Sequence, residues 1–573
     1  MLAGGVGIVG GLVNIFFYYA TEGVKYLFLR RPGDIVEVAE MMSPTARIVT
    51  PIAGALCAGL VLHWGLRLAG RQGTSNMLEV VVAGDGRLPL RTAIVKFLSS
   101  LMTIGTGGSI GREGGIVQLS ATLASKWGQL AKWPPYRLRL LVGCGAASGI
   151  AAAYNAPVAG SVFAAMIVLG NFSMNLFAPL VFASVVATMV SRTVFGIKPW
   201  YTVAPFDFTS ITQLPWFLFL GLAAGLLGAM FLRMLDESER LFARIKAPIY
   251  VRVTIGGVIV GLIAVWFPWV WGNGYSVTDR VLHNPAGIAD EVFTGKPHVM
   301  FFLAELLVVK IIATLATVGS GAVGGVFTPT LFLGAGLGAL FGYLVQGIGG
   351  GHALPIAAFS VVGMGSMLSA TTRSPLLAMI MVFEISLDYS LMPPLMLGCV
   401  VATLVAGRLH PASIYTEPLR RKGLEVGEPT APGAATERTV GDLMEAPVPP
   451  VRENATLQEI GQRFLASPNN FLPVVDAQRR LVGLVALQDL KEHLNSGLEL
   501  SAVIAYDVMR PPPVCVTPNQ RLLEVLPVVL SSEQRNIPVV NTLKENRLIG
   551  ALPRAEVLGL FSEAISAGSH GRA

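Results

Sequence analysis

Apolar runs fill the first 415 residues and then become scarce. Clear runs lie near residues 5–28, 46–69, 91–107, 137–153, 175–194, 213–235, 250–270, 299–318, 328–347, 355–369 and 391–407. As helices they cross, or partly cross, a hydrocarbon core of ~30 Å. Three shorter runs, 113–126, 157–170 and 374–386, follow the breaks GTGGSIGREGG, YNAP and TTRSP. Short broken helices at membrane depth are tolerated only where protein buries them or where they line a polar path. The pattern predicts an all-α polytopic membrane region with a transport route inside it.

Charge follows the same division. Residues 1–415 carry 26 Lys+Arg and 17 Asp+Glu, whereas residues 416–573 carry 16 and 18. The basic excess therefore belongs to the apolar part, where it points to topology or anion handling rather than to nucleic acid. Arg420, Arg421 and Lys422 follow the last apolar run and predict a cytoplasmic exit. Residues 427–437 (GEPTAPGAATE) read as a linker. Two units of one design follow, TVGDLM with FLPVVDAQRRLVGLVALQDL and AYDVMR with RNIPVVNTLKENRLIGALPRAEVL, at an offset of 65. Each predicts strand, helix, strand, turn, strand, helix. The expected organisation is a transport domain over 1–422, a linker over 423–437, and α/β units over 438–496 and 503–566.

The apolar part is itself duplicated. Adding 214 carries Gly7, Gly11, Phe17 and Glu22 onto Gly221, Gly225, Phe231 and Asp236, and Gly105, Gly107 and Gly111 onto Gly319, Gly321 and Gly325. With a four-residue slip, the NAP ending at Pro157 maps onto the RSP ending at Pro375. The halves span about 1–200 and 210–415. Paired glycine-interrupted segments in two halves point to a site at the repeat interface.

The strongest local signal is Gly105 to Gly115 (GTGGSIGREGG) leading into a helix near Glu113. Glycines let the backbone approach closely, and a helix N-terminus turned on the same spot makes an anion site without a full positive charge. A fixed lysine or arginine would hold a permeant anion too tightly for release. GSGAVGGVFTP offers the same device in the second half, with Val326, Phe327 and Pro329 opening a helix over 328–347. Glu113 is an ionisable group at membrane depth and is therefore a functional candidate. Ionised, it competes for the anion site; protonated, it swings out. The stretch lacks the strand, the acidic partner and the GK[ST] of a nucleotide loop. Cys57, Cys144, Cys399 and Cys515 show no pairing or metal spacing, and the histidines form no metal motif. The N-terminus has no basic region or cleavage site of a signal peptide.

These residues resemble the CLC family of chloride channels and proton-coupled chloride antiporters. The carrying motifs are Gly111-Arg-Glu-Gly-Gly115, Gly325-Val-Phe-Thr-Pro329, SIYTEPLRRKG around Tyr415, and a weaker Thr74-Ser-Asn-Met-Leu-Glu79 where the family has GSGIPE. The resemblance spans about 1–422 and implies a CLC-type inverted repeat with short broken helices, packed as a homodimer with one pore per subunit. It implies that Ser75 and Tyr415 offer hydroxyls to a central anion, that the backbone N–H groups of Val326 and Phe327 complete the site, and that Glu113 is gate and proton carrier. The family's antiporters carry an internal proton-relay glutamate after the NAP motif. Ile167 stands there, after Met166, and neither carries a proton. An uncoupled channel and an exchanger fed by another proton route both remain open.

The C-terminal units resemble paired cystathionine-β-synthase (CBS) domains, a cytoplasmic tandem in many family members. Asp489, and Glu556 in the second unit, stand where such domains hold the ribose of an adenine nucleotide; a structural role is the competing expectation. The expected ligand is chloride, with fluoride as the alternative and a CBS-containing metal-ion transporter as the more distant one. Glu113 and Glu384 are too few to build a cation cage. No metal, resident cofactor, nucleic-acid partner or enzyme activity is expected. The expected setting is a bacterial inner membrane.

Overall fold

The structure is a computed structural model. It describes residues 2–568 except 32, 71–76, 83–84, 171, 173, 198–200, 202–210, 284–295, 349–353, 423–437, 466–468, 491–502 and 533. The chain divides into two compact units, 1–426 and 427–573.

The first unit is helical, in chain order α1 (Leu2–Leu29), α2 (Ile35–Glu40), α3 (Pro44–Ala69), α4 (Met77–Val82), α5 (Leu90–Gly105), α6 (Glu113–Leu130), α7 (Pro135–Tyr154), α8 (Pro157–Phe163), α9 (Met174–Phe195), α10 (Leu214–Arg244), α11 (Ile249–Trp266), α12 (Tyr275–His283), α13 (Lys296–Gly319), α14 (Phe327–Gly347), α15 (Ile356–Thr372), α16 (Pro375–Ser386), α17 (Met392–Leu409) and α18 (Glu417–Arg420). A π-helical turn, Ala164–Val168, extends α8. Among the described residues, eight of these helices are long and apolar enough to cross a membrane.

The duplication is visible in the packing. Gly7 and Gly11 of α1 leave no room for a side chain against Ala183, Val186 and Val190 of α9. Gly221 and Gly225 of α10 meet Gly398, Val401, Ala402 and Val405 of α17 in the same way. Small residues let helix backbones close on each other where no hydrophobic effect drives them together. The breaks between α7 and α8 and between α15 and α16 also match. α7 ends on Asn155 at φ 57° and α15 on Arg373 at φ 59°, both left-handed caps. In each case a proline, Pro157 or Pro375, then opens the next helix where a missing N–H costs nothing.

Two of the boundaries that differ from expectation have a clear local cause. The run 213–235 continues as helix to Arg244, because its polar tail is held by ion pairs such as Asp236 to Arg240 at 2.7 Å. The run 250–270 breaks at Phe267, where Pro268 starts a 3₁₀ turn.

The second unit holds β1 (Val451–Arg452), α19 (Leu457–Leu465), β2 (Phe471–Val475), β3 (Leu481–Ala486), α20 (Ala505–Val508), α21 (Leu522–Ser531), β4 (Asn536–Val540), β5 (Leu548–Pro553) and α22 (Arg554–Gly568). β1 pairs parallel with β2, and β2 antiparallel with β3; β4 and β5 form the matching antiparallel pair. The first strand expected in the second repeat is reduced to one bridge, Val516 to Val539. Pro511, Pro512, Pro513 and Pro518 flank it and remove ladder donors.

The leading segments are exchanged between the repeats. Residues 439–445 bond to the second repeat, through Val440 N–H to Gln520 O and Glu445 N–H to Ala551 O. Residues 505–510 bond to the first, through Ala505 N–H to Ala455 O and Arg510 N–H to Leu484 O. The cores follow the exchange: Ala505 and Val508 are buried with Val451 and Leu472, and Val440 with Val516 and Leu552.

Candidate functional site

The glycine breaks before α6 and α14 meet face to face. Gly111 N–H donates to Gly325 O at 2.7 Å, and Gly325 N–H donates to Gly111 O at 2.8 Å. Gly111 and Gly325 are repeat equivalents, so this reciprocal pair marks the local symmetry axis. Both helices start at once, α6 at Glu113 and α14 at Phe327, one residue earlier than expected. Two positive helix ends thus converge on one buried spot.

That spot holds the Glu113 carboxylate, 4% exposed. Its Oε1 accepts the Thr328 backbone N–H at 3.1 Å, and its Oε2 accepts the Thr328 hydroxyl at 3.1 Å. Behind Thr328, the Tyr154 hydroxyl lies 2.7 Å from Thr328 Oγ1. Side chains at Gly111 or Gly325 would collide with the carboxyl group, so the two glycines form its cradle. The backbone approach is as close at Gly114, where a Cβ would lie 2.6 Å from the Gly324 carbonyl carbon.

Aromatic rings line the surroundings. Phe327 packs on Tyr154 with centroids 5.3 Å apart, and Phe163 packs edge-on against Tyr415 at 5.6 Å. All four belong to one apolar cluster, in which Tyr415 is only partly buried. Arg112 donates to Ala153 O at 3.2 Å. It also lines a cavity of about 570 Å³ shared with Lys25, Asn155, Arg192 and Tyr275.

The structure thus brings Glu113 to the start of the helix opened by Val326 and Phe327. The residue that contacts the carboxylate is the next one, Thr328. Val326 is the N-cap of α14, and Phe327 is 3% exposed. Ser75 and Thr74 lie outside the described residues. Thr328 and Tyr154 were not singled out from sequence; the available signal was a hydroxyl beside each helix-starting proline motif.

The internal relay position falls in the π-helical turn. Met166 and Ile167 are half-buried there, and the Met166 sulfur accepts the Ser374 hydroxyl at 3.4 Å. Glu384 lies elsewhere and caps α8, accepting the N–H groups of Val158 at 3.0 Å and Ala159 at 2.7 Å. At the basic exit, Arg421 pairs with Asp236 and Glu239, and Lys422 with Glu79. Partial burial opposes the Arg421 charge, but Glu239, Asp236 and Glu417 together outweigh it and raise the guanidinium pKa above its ordinary value.

In the second unit Asp489 is engaged by Arg510 in a bidentate pair, at 2.8 and 2.6 Å. It also accepts the Ala486 N–H at 3.4 Å. Glu556 is exposed in the first turn of α22.

Residues 53–407 match the voltage gated chloride channel family, and residues 440–496 and 505–563 match the CBS domain. A ClcB-like chloride channel protein of Ralstonia nicotianae is 39% identical over 424 residues, which is 73% of this chain and 96% of that protein. The fold is similar to a slow cyanobacterial Cl⁻/H⁺ antiporter, with a TM-score of 0.61 at 24% identity over 74% of this chain and 98% of that one. It is also similar to a eukaryotic CLC transporter, with a TM-score of 0.60 at 19% identity over 97% of each chain.

Proposed function

The chain belongs to the voltage gated chloride channel family, the CLC proteins, and from that premise we propose that Glu113 gates its anion pathway. It is a multi-pass membrane protein of bacterial inner-membrane type, with cytoplasmic CBS domains, and its work is CLC-type chloride transport. The observation that carries the gate reading is the Glu113 carboxylate at the junction of two helix N-termini, cradled by Gly111 and Gly325 and bonded to Thr328. Donors that hold a carboxylate oxygen also suit a halide. Chloride and the ionised carboxylate therefore compete, and protonation releases the carboxylate. Val326, Phe327, Tyr415 and Ser75 are the proposed remaining anion ligands.

We read the flux as proton-gated rather than stoichiometrically exchanged. The turn that would carry an internal relay offers only a thioether and a branched aliphatic side chain at Met166 and Ile167, and Glu384 is committed to capping α8. The cation-transport alternative is disfavoured because Glu113 and Glu384 serve separate partners. Reconstitution into liposomes under a chloride gradient, with external pH recorded, tests both readings. Proton movement against its own gradient would overturn the uncoupled reading. Glu113→Gln should abolish the pH dependence of chloride flux; persistence of that dependence would overturn the gate.

For the CBS pair we propose a structural role, within a homodimer. Arg510 bonds both oxygens of Asp489, the expected ribose partner, in a bidentate pair. Adenosine monophosphate titrated into the purified protein should leave its thermal midpoint unchanged, and a saturable rise would refute this reading.

A further inference from the structure

Glu113, Thr328 and Tyr154 form a line of three side chains, 4%, 1% and 2% exposed. The proton count along it is restrictive. An ionised carboxylate only accepts, and a hydroxyl has one proton to give. With Thr328 Oγ1 donating to Glu113 Oε2, the 2.7 Å contact behind it requires the Tyr154 phenol to donate to Thr328. All donors therefore point one way, Tyr154 to Thr328 to Glu113, and a phenol polarises the hydroxyl it feeds. The Thr328 backbone N–H, fixed in the first turn of α14, holds the other oxygen.

Protonation of Glu113 upsets this order on either oxygen. A proton on Oε1 faces a main-chain N–H that cannot become an acceptor. A proton on Oε2 meets the Thr328 hydroxyl proton head-on unless that hydroxyl turns away, giving up its bond to Glu113 while its oxygen accepts from both neighbours. The neutral gate thus loses bonds that the charged gate enjoys. From this one-way line we propose that Thr328 and Tyr154 are positioning residues, a latch that recognises the ionised gate and sets how readily Glu113 leaves its cradle. The latch rests on the gate reading above. Among the described residues, the other charged or titratable groups that interact with Glu113 are Arg112, adjacent in sequence, and Tyr415, while Tyr18 and Tyr275 interact with Arg112.

The test is the pH profile of chloride efflux from liposomes holding the full-length protein. Removing donors to the charged form lets the gate take a proton more easily, so half-maximal efflux moves to higher pH. Thr328→Val keeps the backbone N–H and loses the hydroxyl; half-maximal efflux should need roughly ten- to hundredfold less proton activity. Tyr154→Phe should move it the same way by about threefold, and adding it to Thr328→Val should move it no further. Thr328→Ser, which restores the hydroxyl, should restore the profile. If Thr328→Val does not fold, Tyr154→Phe decides alone, since it removes one oxygen and no volume. Profiles that overlay the wild type, or shift to lower pH, would overturn the latch while a pH-insensitive Glu113→Gln keeps the gate. A Glu113→Gln protein that stays pH-sensitive would overturn gate and latch together.

Discussion

The two halves of the membrane unit share a scaffold and divide its chemistry. The offset of 214 that pairs Gly111 with Gly325 pairs Glu113 with Phe327. At one helix start the first half places a carboxylate; at its counterpart the second half places a ring. The offset of 218 that pairs Asn155 with Arg373 pairs Met166 with Glu384. There the second half keeps a carboxylate, which caps α8, and the first half has a thioether against Ser374, the N-cap of α16. Backbone geometry was duplicated, and at these two positions the acid stands in one copy only. Two facing carboxylates in one cradle would repel each other in a dry setting. The lone acid leaves the second helix end free to bind it and, by turns, to bind an anion.

The largest expected break in this comparison comes from Gly114→Ala. Its Cβ would press on the Gly324 carbonyl carbon at 2.6 Å and on the Gly325 nitrogen at 2.8 Å, both main chain. Overpacking of that kind costs ~3 kcal/mol or more, so the yield of folded protein and its thermal midpoint should fall sharply. Gly325→Ala and Gly111→Ala should act differently, because the atoms in the way belong to the flexible Glu113 side chain. Both should eject the carboxylate and raise chloride efflux at neutral pH with a smaller loss of stability; efflux reduced in both would refute the cradle.

A smaller effect is expected at the second carboxylate. Glu384→Gln leaves one acceptor oxygen for two N–H groups and should cost ~1–3 kcal/mol. Met166→Leu in the equivalent place should cost less than ~1.5 kcal/mol. Equal losses in thermal midpoint would show that Glu384 is no more of a cap than its counterpart.

The smallest effect lies in the soluble unit. Thr439 donates its N–H and hydroxyl to Asp442 and holds that carboxyl below the ordinary Asp value. A lowered folded-state value means stability that is present above the unfolded value of ~3.9 and is lost as pH falls through the folded one. The difference in thermal midpoint between wild type and Asp442→Asn should therefore vanish in acid below that range. A difference that grows in acid would contradict the assignment.

Much of the fold was legible because bilayer thickness imposes a length on apolar runs. The expected 175–194 and 391–407 are the observed Met174–Phe195 and Met392–Leu409. The tail of α10 was not legible, since Asp236, Glu237 and Arg240 look like a loop until their ion pairs are seen. Glu113 stood out as a charge at membrane depth, whereas Thr328 and Tyr154 carry no such mark and matter only through two distances. In the soluble pair the repeat was readable. Which repeat each leading segment joins was not, because both halves present the same pattern.

That exchange has a consequence for biosynthesis. When the ribosome has released residues 438–496, the sheet of Phe471–Val475 and Leu481–Ala486 still lacks the segment that bonds to Leu484, and this segment arrives only with Arg510. Residues 439–445 meanwhile wait for Gln520 and Ala551. Neither repeat can mature ahead of the other, and a nascent chain halted between them presents two unfinished edges to the cell's quality control.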